Sequence, residues 1–506
     1  MIRDGYSEVL SEGSIFVTHS RSERLFVAIV CAVGAARVFL GAMAVPLFSD
    51  VDEQGHFDLV HKLAGGYWPT EVHETWDRET VRLEVWYGSH EFLSPGPLYP
   101  PPLWRQPGSP TRDAAADYLT TALREMVNHE AHSPPLYYAA AAVWYKLGNL
   151  GGLRGPHAAY WVRFLNVLVY AATIAMSYAF CREYFSRAVA LAVPALTAFF
   201  PNSVFYNINS DVLSPLMVLL SLWLLLRWSA GESPGARLSA ATGVSAAAAV
   251  LVKLTNIAVM AACAVVVLRK GYHAWKSGRL RDVWPSATIL LLSAAAPVSL
   301  WMMRNQLVLG DPMGTEAKIR HLGWQAKQLG GLLEHPLFSL SGQGEFWGYL
   351  VSSFYNGDMS WHARWVKFDL SEMFFLVSLI ALPVAVGVAF LRRRPRDAPR
   401  NRFPVLLASV LVASFVLVLM ALSLRFDFGA SVFPSREFPY MASGRLIAGA
   451  LIPFLALYAS AVEVIVGHRK PLFVLAIAVS VLMMVVPQAI LLRLVLQSRY
   501  NWFHLL

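Results

Sequence analysis

The sequence predicts an all-α, polytopic membrane protein, and three observations carry that expectation. Of the 506 residues, 56% are hydrophobic and only 15% charged, and the mean hydropathy is +0.46, well above that of an ordinary water-soluble domain. Several apolar runs reach the roughly 20 residues that a helix needs to cross about 30 Å of hydrocarbon. A helix also satisfies its own backbone hydrogen bonds where water is absent. Finally, lysine and arginine fall in short connectors between those runs rather than on one amphipathic face, so the net charge of +9 reads as topological and excludes a nucleic-acid surface.

Taken in order, apolar spans fall near 25–47, 160–181, 188–206, 212–228, 237–252, 256–268, 285–303, 371–391, 403–424, 446–466 and 472–495, about eleven transmembrane helices in all. Residues 1–24 read as a cytoplasmic tail. The first span is too long for a signal-peptide core and is expected to stay as an anchor. Basic connectors are retained in the cytoplasm, and the segments 182–187, 227–237, 269–281, 392–402 and 468–470 are the basic ones. The segment 392–402, RRRPRDAPRNR, has six arginines against one aspartate. The alternate connectors, 48–159, 207–211, 253–255, 304–370 and 425–445, then lie outside, and 496–506 forms an outer C-terminal tail. The transmembrane domain is 25–495, including the outer loops 48–159 and 304–370.

Residues 134–150, PPLYYAAAAVWYKLGNL, are only 17 long and contain Lys146 and Asn149. Counting them as a span would invert every later loop. They are expected to form an interfacial helix, with Tyr137, Tyr138, Trp144 and Tyr145 at the headgroup level. Arg37 sits near the middle of the first span, where an unpaired cation is costly, and the sequence names no partner for it. Cys31, Cys181 and Cys263 all fall in apolar runs, so neither a disulfide framework nor a thiolate metal site is expected.

The first outer loop is too rich in ionisable groups to be a mere connector. Residues 48–133 carry 14 acidic side chains against six basic ones, and six of the chain's 14 histidines. Directly after the first span comes Ser49-Asp50-Val51-Asp52-Glu53-Gln54-Gly55-His56. Asp52 is expected to cap a short helix, which would set Asp52 and Glu53 on one face with His56. Carboxylates at the membrane surface accept a proton from a hydroxyl or hold a cation against a phosphate, although a solvated helix cap is the plainer reading. A second motif, Asn128-His129-Glu130-Ala131-His132-Ser133-Pro134-Pro135-Leu136-Tyr137-Tyr138, leads into the interfacial helix through a double proline.

Together these motifs resemble the GT-C superfamily of integral-membrane glycosyltransferases, with bacterial aminoarabinose transferases and protein O-mannosyltransferases as the nearest flavour. Further features follow in chain order: Asn207-Ile208-Asn209-Ser210-Asp211, Val252-Lys253-Leu254-Thr255-Asn256, Trp301-Met302-Met303-Arg304-Asn305 and Ser443-Gly444-Arg445-Leu446. The resemblance implies a polyprenyl-phosphate sugar donor, a glycan, lipid or protein acceptor approaching from outside, and an essential carboxylate in the first outer loop. Asp52 is the first choice for that role, with Glu53 beside it, Asp50 as an alternative and Asp211 aimed at the same cavity. Lys253, Arg304 and Arg445 are the cations expected to hold the lipid phosphate, and they are equally the residues that would snorkel at helix ends. Asp50, His56, His132 and Tyr137 are expected to contact substrate.

Neither His129/His132 nor His56/His61 has the spacing of a helical zinc pair, so no residue is assigned as a metal ligand. Asp52, Glu53 and Asp211 would suit magnesium or manganese, and the sequence leaves metal dependence open. No Gly-rich phosphate loop appears, which argues against a nucleotide as direct substrate. The expected reaction is an inverting sugar transfer with an outer-loop aspartate as general base. The rival readings are a carrier or flippase for a lipid-linked saccharide, or a glycan ligase or polymerase. Carriers place broken helices and charges near the midplane, whereas here the polar motifs gather at one face. Residues 71–117 have no assigned role beyond acceptor choice.

Overall fold

The computed structural model describes residues 20–49, 52–94, 99–328, 330, 333–380, 382–383, 387, 402–429, 431–467 and 469–506. The molecule is a helical bundle with a helical cap. Helix α1 (Arg21–Ala44) starts where the Ser20 hydroxyl accepts from the Glu23 amide, an N-cap that satisfies one of the unpaired amides of the first turn. The cap follows: α2 (Glu53–Ala64), α3 (Arg78–Tyr87), α4 (Pro110–Arg124) and α5 (Leu136–Leu150). The bundle resumes with α6 (Gly155–Tyr184), α7 (Arg187–Phe199), α8 (Ser214–Ala230), α9 (Ala236–Val252), α10 (Ala258–Lys276) and α11 (Leu280–Leu309). After the short α12 (Glu316–His321) come α13 (Leu340–Asn356), α14 (Asp369–Leu379), α15 (Phe403–Arg425), α16 (Leu451–Ile465) and α17 (Lys470–Val495).

Among the described residues, eight helical stretches are long and apolar enough to span a bilayer. Helices α7 and α9 are apolar but shorter. The span expected at 371–391 lies only partly within the described residues, as does the basic segment 392–402. Helix α5 is 15 residues long, about 22 Å at the rise of an α-helix, and it packs along α2 and α6. The expected span 188–206 is broken: α7 ends at Phe199, and Phe200 turns to φ −58°, ψ 122° because Pro201 follows and disfavours helical geometry in the residue before it. The chain continues as 3-10 turns over Ser203–Tyr206 and Ser210–Leu213 before α8.

Small residues let the helices approach closely. Gly243 of α9 lies against α11, where a Cβ would come 2.2 Å from the Leu290 carbonyl oxygen and 2.7 Å from the Ser293 Cβ, a backbone approach typical of membrane helix pairs. A second, smaller core holds the cap to the bundle through Phe48, Phe57, Tyr137, Tyr138, Tyr160 and Ile208.

The charged residues sort to two ends. At the start of α1, Glu23 pairs with Arg187 and accepts from the Tyr178 hydroxyl. Arg227 pairs with Glu183, and Lys270 donates to the Trp228 carbonyl near that end. At the opposite end stand the cap, the 444–450 turn and residues 496–506. These last residues are tied to the 48–133 stretch: Ser498 bonds Glu91 and Tyr500 donates to the Pro100 carbonyl (3.1 Å); separately, the His362 amide donates to the Glu91 carbonyl (2.9 Å). Arg37, for which the sequence offered no partner, donates to the Phe200 carbonyl (3.0 Å) and to the hydroxyls of Tyr206 (3.0 Å) and Tyr170 (2.7 Å). Its guanidinium also lies 5.0 Å from the Tyr170 ring centroid, so the three hydrogen bonds of Nη1 and Nη2 and this ring offset much of its burial cost, while Nε has no hydrogen-bond partner among the described residues.

Candidate functional site

The site is built where α1 gives way to α2. Phe48 (φ 57°) and Asp52 (φ 66°) both occupy the left-handed region, which a bulky aromatic adopts only under constraint and an aspartate tolerates more readily. The constraint is Glu53. Its carboxylate is fully buried, accepts from Arg163 Nε (2.7 Å) and Nη2 (2.6 Å), and also receives the backbone amides of Phe48 (2.9 Å) and Ile208 (3.0 Å). Arg163 itself donates to the carbonyls of Ala42 and Pro46. This bidentate ion pair welds the end of α1, the start of α2, helix α6 and the 207–211 segment into one unit.

Asp52 does not cap α2 with its side chain, contrary to expectation. The left-handed turn swings its carboxylate away, to the His129 Nε2 (3.0 Å) and the Arg445 Nη2 (2.8 Å). Arg445 reaches it because Gly444 packs backbone to backbone on α13: a Cβ there would meet the Phe354 amide nitrogen at 2.0 Å, and the Gly444 amide donates to the Ser353 hydroxyl (2.8 Å). Asp211 is buried and ion-paired with Lys253, and its second carboxylate oxygen has no hydrogen-bond partner among the described residues. Arg445 lies within electrostatic reach of Asp211 and Asp358, and Asp358 accepts from the Ser443 hydroxyl. Glu130 is paired with Lys318 of α12, and His321 of the same helix stacks on His129 with ring centroids 5.7 Å apart.

Accessibility separates two groups. Glu53, Arg163 and Asp211 have side chains at 1% exposure or less, whereas Asp52, His129, Lys253 and Arg445 keep 16%, 18%, 18% and 22% of their side-chain surface. The second group keeps part of its side-chain surface accessible, and the first does not. Burial by itself would raise the Asp52 carboxyl, but the hydrogen bond from His129 and the charges of Arg445 and Lys318 hold it well below the usual carboxylate range. Burial pushes His56 down to about 4, so its ring is neutral near pH 7, bonded through Nδ1 to the Tyr138 hydroxyl (2.7 Å). Burial raises the Asp358 carboxyl despite the nearby Arg445.

Of the residues expected here, Asp52, Asp211, Lys253 and Arg445 come together. Arg304 makes its contacts elsewhere: it donates to Asn305 and to the Pro69 carbonyl and lies over the Trp68 ring, 5.4 Å from its centroid. His132 turns to that same hollow, bonding the Glu71 carbonyl (2.9 Å). Tyr137 is fully buried, edge-on to Tyr138, and His56 is nearly so. Asp50 lies outside the described residues. His129 and His132 diverge, one toward Asp52 and the other toward the Glu71 carbonyl. Asp52, His129 and Glu130 nevertheless bring one ligand atom each to within 4.8 Å of one another, a set of hard and borderline donors compatible with a divalent cation.

Sequence reasoning did not pick out Arg163, Lys318 and Asp358. For Arg163 a signal existed, since an arginine inside an apolar span is rarely idle. Lys318 and Asp358 lie in the 304–370 loop, where no periodicity marks them.

The fold and the polar cluster at one end of the bundle define a multi-pass membrane protein with a charged, partly open site. Residues 36–430 match the family described as "Predicted membrane protein (DUF2142)", and the chain belongs to that family. No curated protein matches it. Among solved structures it is similar to the Archaeoglobus fulgidus oligosaccharyltransferase in complex with zinc and sulfate, at 12% identity and a TM-score of 0.45, covering 94% of this chain and 53% of that one. It is also similar to ArnT from Cupriavidus metallidurans bound to undecaprenyl phosphate, at 13% identity and a TM-score of 0.34, covering 92% and 77%. The chain thus spans about half the length of the oligosaccharyltransferase.

Proposed function

We propose that this protein is a membrane glycosyltransferase that moves a sugar from a polyprenyl-phosphate-linked donor to an acceptor hydroxyl on the non-cytoplasmic side, with inversion. The observation that carries the reading is the pairing of an exposed-edged, anionic Asp52 with Arg445, next to the Asp211–Lys253 pair. A partly accessible carboxylate clustered with two cations is what a proton transfer beside a departing phosphate requires. The basic end of the bundle, around Arg182, Arg187 and Arg227, is the cytoplasmic one by the retention of positive charge, which leaves the site facing out.

In this mechanism Asp52 takes the proton of the acceptor hydroxyl, and the freed oxygen attacks the anomeric carbon from the face opposite the phosphate. The bond between that carbon and the phosphate oxygen breaks, and the lipid phosphate leaves with the electron pair, its charge met by Arg445 and Lys253. Glu53 and Arg163 hold the turn that aims Asp52. A divalent cation, magnesium or manganese, would be held by Asp52, His129 and Glu130 and would supply further countercharge to the phosphate.

Asp52→Asn is expected to lower sugar transfer from a radiolabelled polyprenyl-phosphate donor by about a hundredfold or more, the usual size of a general-base contribution, while the protein stays folded. Turnover like the wild type would remove Asp52 from the mechanism. Release of free lipid phosphate from detergent-purified protein separates transfer from carriage, because lipid scrambling in liposomes without such release marks a carrier.

A further inference from the structure

The segment 71–117 that the sequence left without a role builds a second recess, away from the charged cluster. Residues Glu79, Arg82, Leu83 and Trp86 of α3 stand at i, i+3, i+4 and i+7, one stripe of the helix, and with Tyr87 and Gly155 they line a cleft of about 420 Å³. Gly155 opens α6 with φ 54°, and a Cβ there would meet nothing nearer than Leu83 Cδ2 at 3.9 Å. The cleft therefore lies between the cap and the bundle.

Its aromatic walls are fixed in place. The Arg112 guanidinium of α4 lies over the Trp86 ring, 5.1 Å from the centroid, and Arg112 is in turn held by Asp113 and by the Gln106 carbonyl. Tyr87 stacks on Trp104 at 6.2 Å, and Arg105 covers Trp104 at 5.3 Å. Such backing orders the rings before a ligand arrives, which lowers the entropic cost of binding. The polar groups are one exposed carboxylate, Glu79, and one exposed guanidinium, Arg82, so the lining carries no net charge.

We infer that this cleft binds a neutral saccharide, with the Trp86 and Tyr87 rings packing on the apolar C–H face of a sugar and Glu79 and Arg82 hydrogen-bonding its hydroxyls. Rigid aromatic surfaces beside planar, bidentate polar groups match a ligand that is apolar on its faces and hydroxylated at its edges. A phosphorylated headgroup would meet Glu79 as a like charge, whereas a polyol satisfies both Glu79 and Arg82. The inference deepens the proposed transfer reaction and rests on it only for the cleft's purpose: the saccharide is a glycan acceptor held on the cap.

The test uses full-length protein in detergent and a panel of neutral hexose, deoxyhexose and pentose oligosaccharides, with binding read by saturation-transfer NMR and tryptophan fluorescence. At least one panel member is expected to bind. Trp86→Ala should weaken it tenfold or more, and Glu79→Gln and Arg82→Gln should each weaken it severalfold with unchanged thermal unfolding. The inference is overturned by absence of binding to every member, by wild-type affinity in all three variants, or by variants that lose adhesion to phosphatidylglycerol vesicles while keeping the sugar. Release of lipid phosphate from the donor is measured separately. Saccharide binding without such release would sink the transfer reading and leave the cleft, and release without saccharide binding would do the reverse.

Discussion

Asp52 and Glu53 are neighbours in the chain, and the left-handed backbone at Asp52 sends their carboxylates to different places. Glu53 is saturated by Arg163 and two backbone amides and is sealed from solvent. Asp52 is shared between an imidazole and a guanidinium and stays partly open. Removing one partner of a sealed pair strands the other charge in a poorly polarisable interior, so Arg163→Ala is expected to destabilise the fold by roughly 3–5 kcal/mol. Thermal unfolding of purified protein would show the loss, whereas Asp52→Asn, at an open site and still able to hydrogen-bond, should melt near the wild type. A melting temperature for Arg163→Ala equal to that of the wild type would deny Glu53 and Arg163 their structural part. At this scale the sequence disclosed residue types but not directions. The Asp52-Glu53 motif was visible, yet only the turn at Phe48 and the distant Arg163 and Arg445 decide which acid stays accessible.

Among the elements, the apolar spans were legible because hydrocarbon imposes a length and a composition. The interruption at Phe200 was less so: hydropathy averages across a break, although Pro201 was a local sign of it. Helix α5, 15 residues long, falls where the sequence predicted an interfacial helix at 134–150. What hydropathy could not convey is which helices touch. Gly243 is one glycine in a run of small residues, ARLSAATGVSAAAAVLV, and its importance emerges only from the Leu290 carbonyl beside it. Gly243→Leu is expected to force α9 and α11 apart and to lower the melting temperature by several degrees, as overpacking by 1–3 kcal/mol would. Gly235→Leu makes a suitable control, since a Cβ at Gly235 has open space. Equal melting temperatures for the two would show that α9 and α11 tolerate separation.

For the whole molecule, the ties from residues 496–506 to Glu91 and Pro100 set those residues on the same face as the 48–133 stretch. A cysteine placed at Arg499 should therefore react with a membrane-impermeant maleimide from the same side as one at Arg124, and one at Arg279 only from the other. Cys181 and Cys263 are buried and Cys31 is half-buried, so background labelling is low. Labelling of Arg499 and Arg279 positions from one side would overturn the orientation of the bundle. The clamp between Asp52 and Arg445 joins residues 393 positions apart. A ribosome inserting this chain must thread nearly every hydrophobic helix before the guanidinium meets its carboxylate, so a half-inserted protein lacks this clamp and holds Asp52 without its guanidinium partner until synthesis is well advanced.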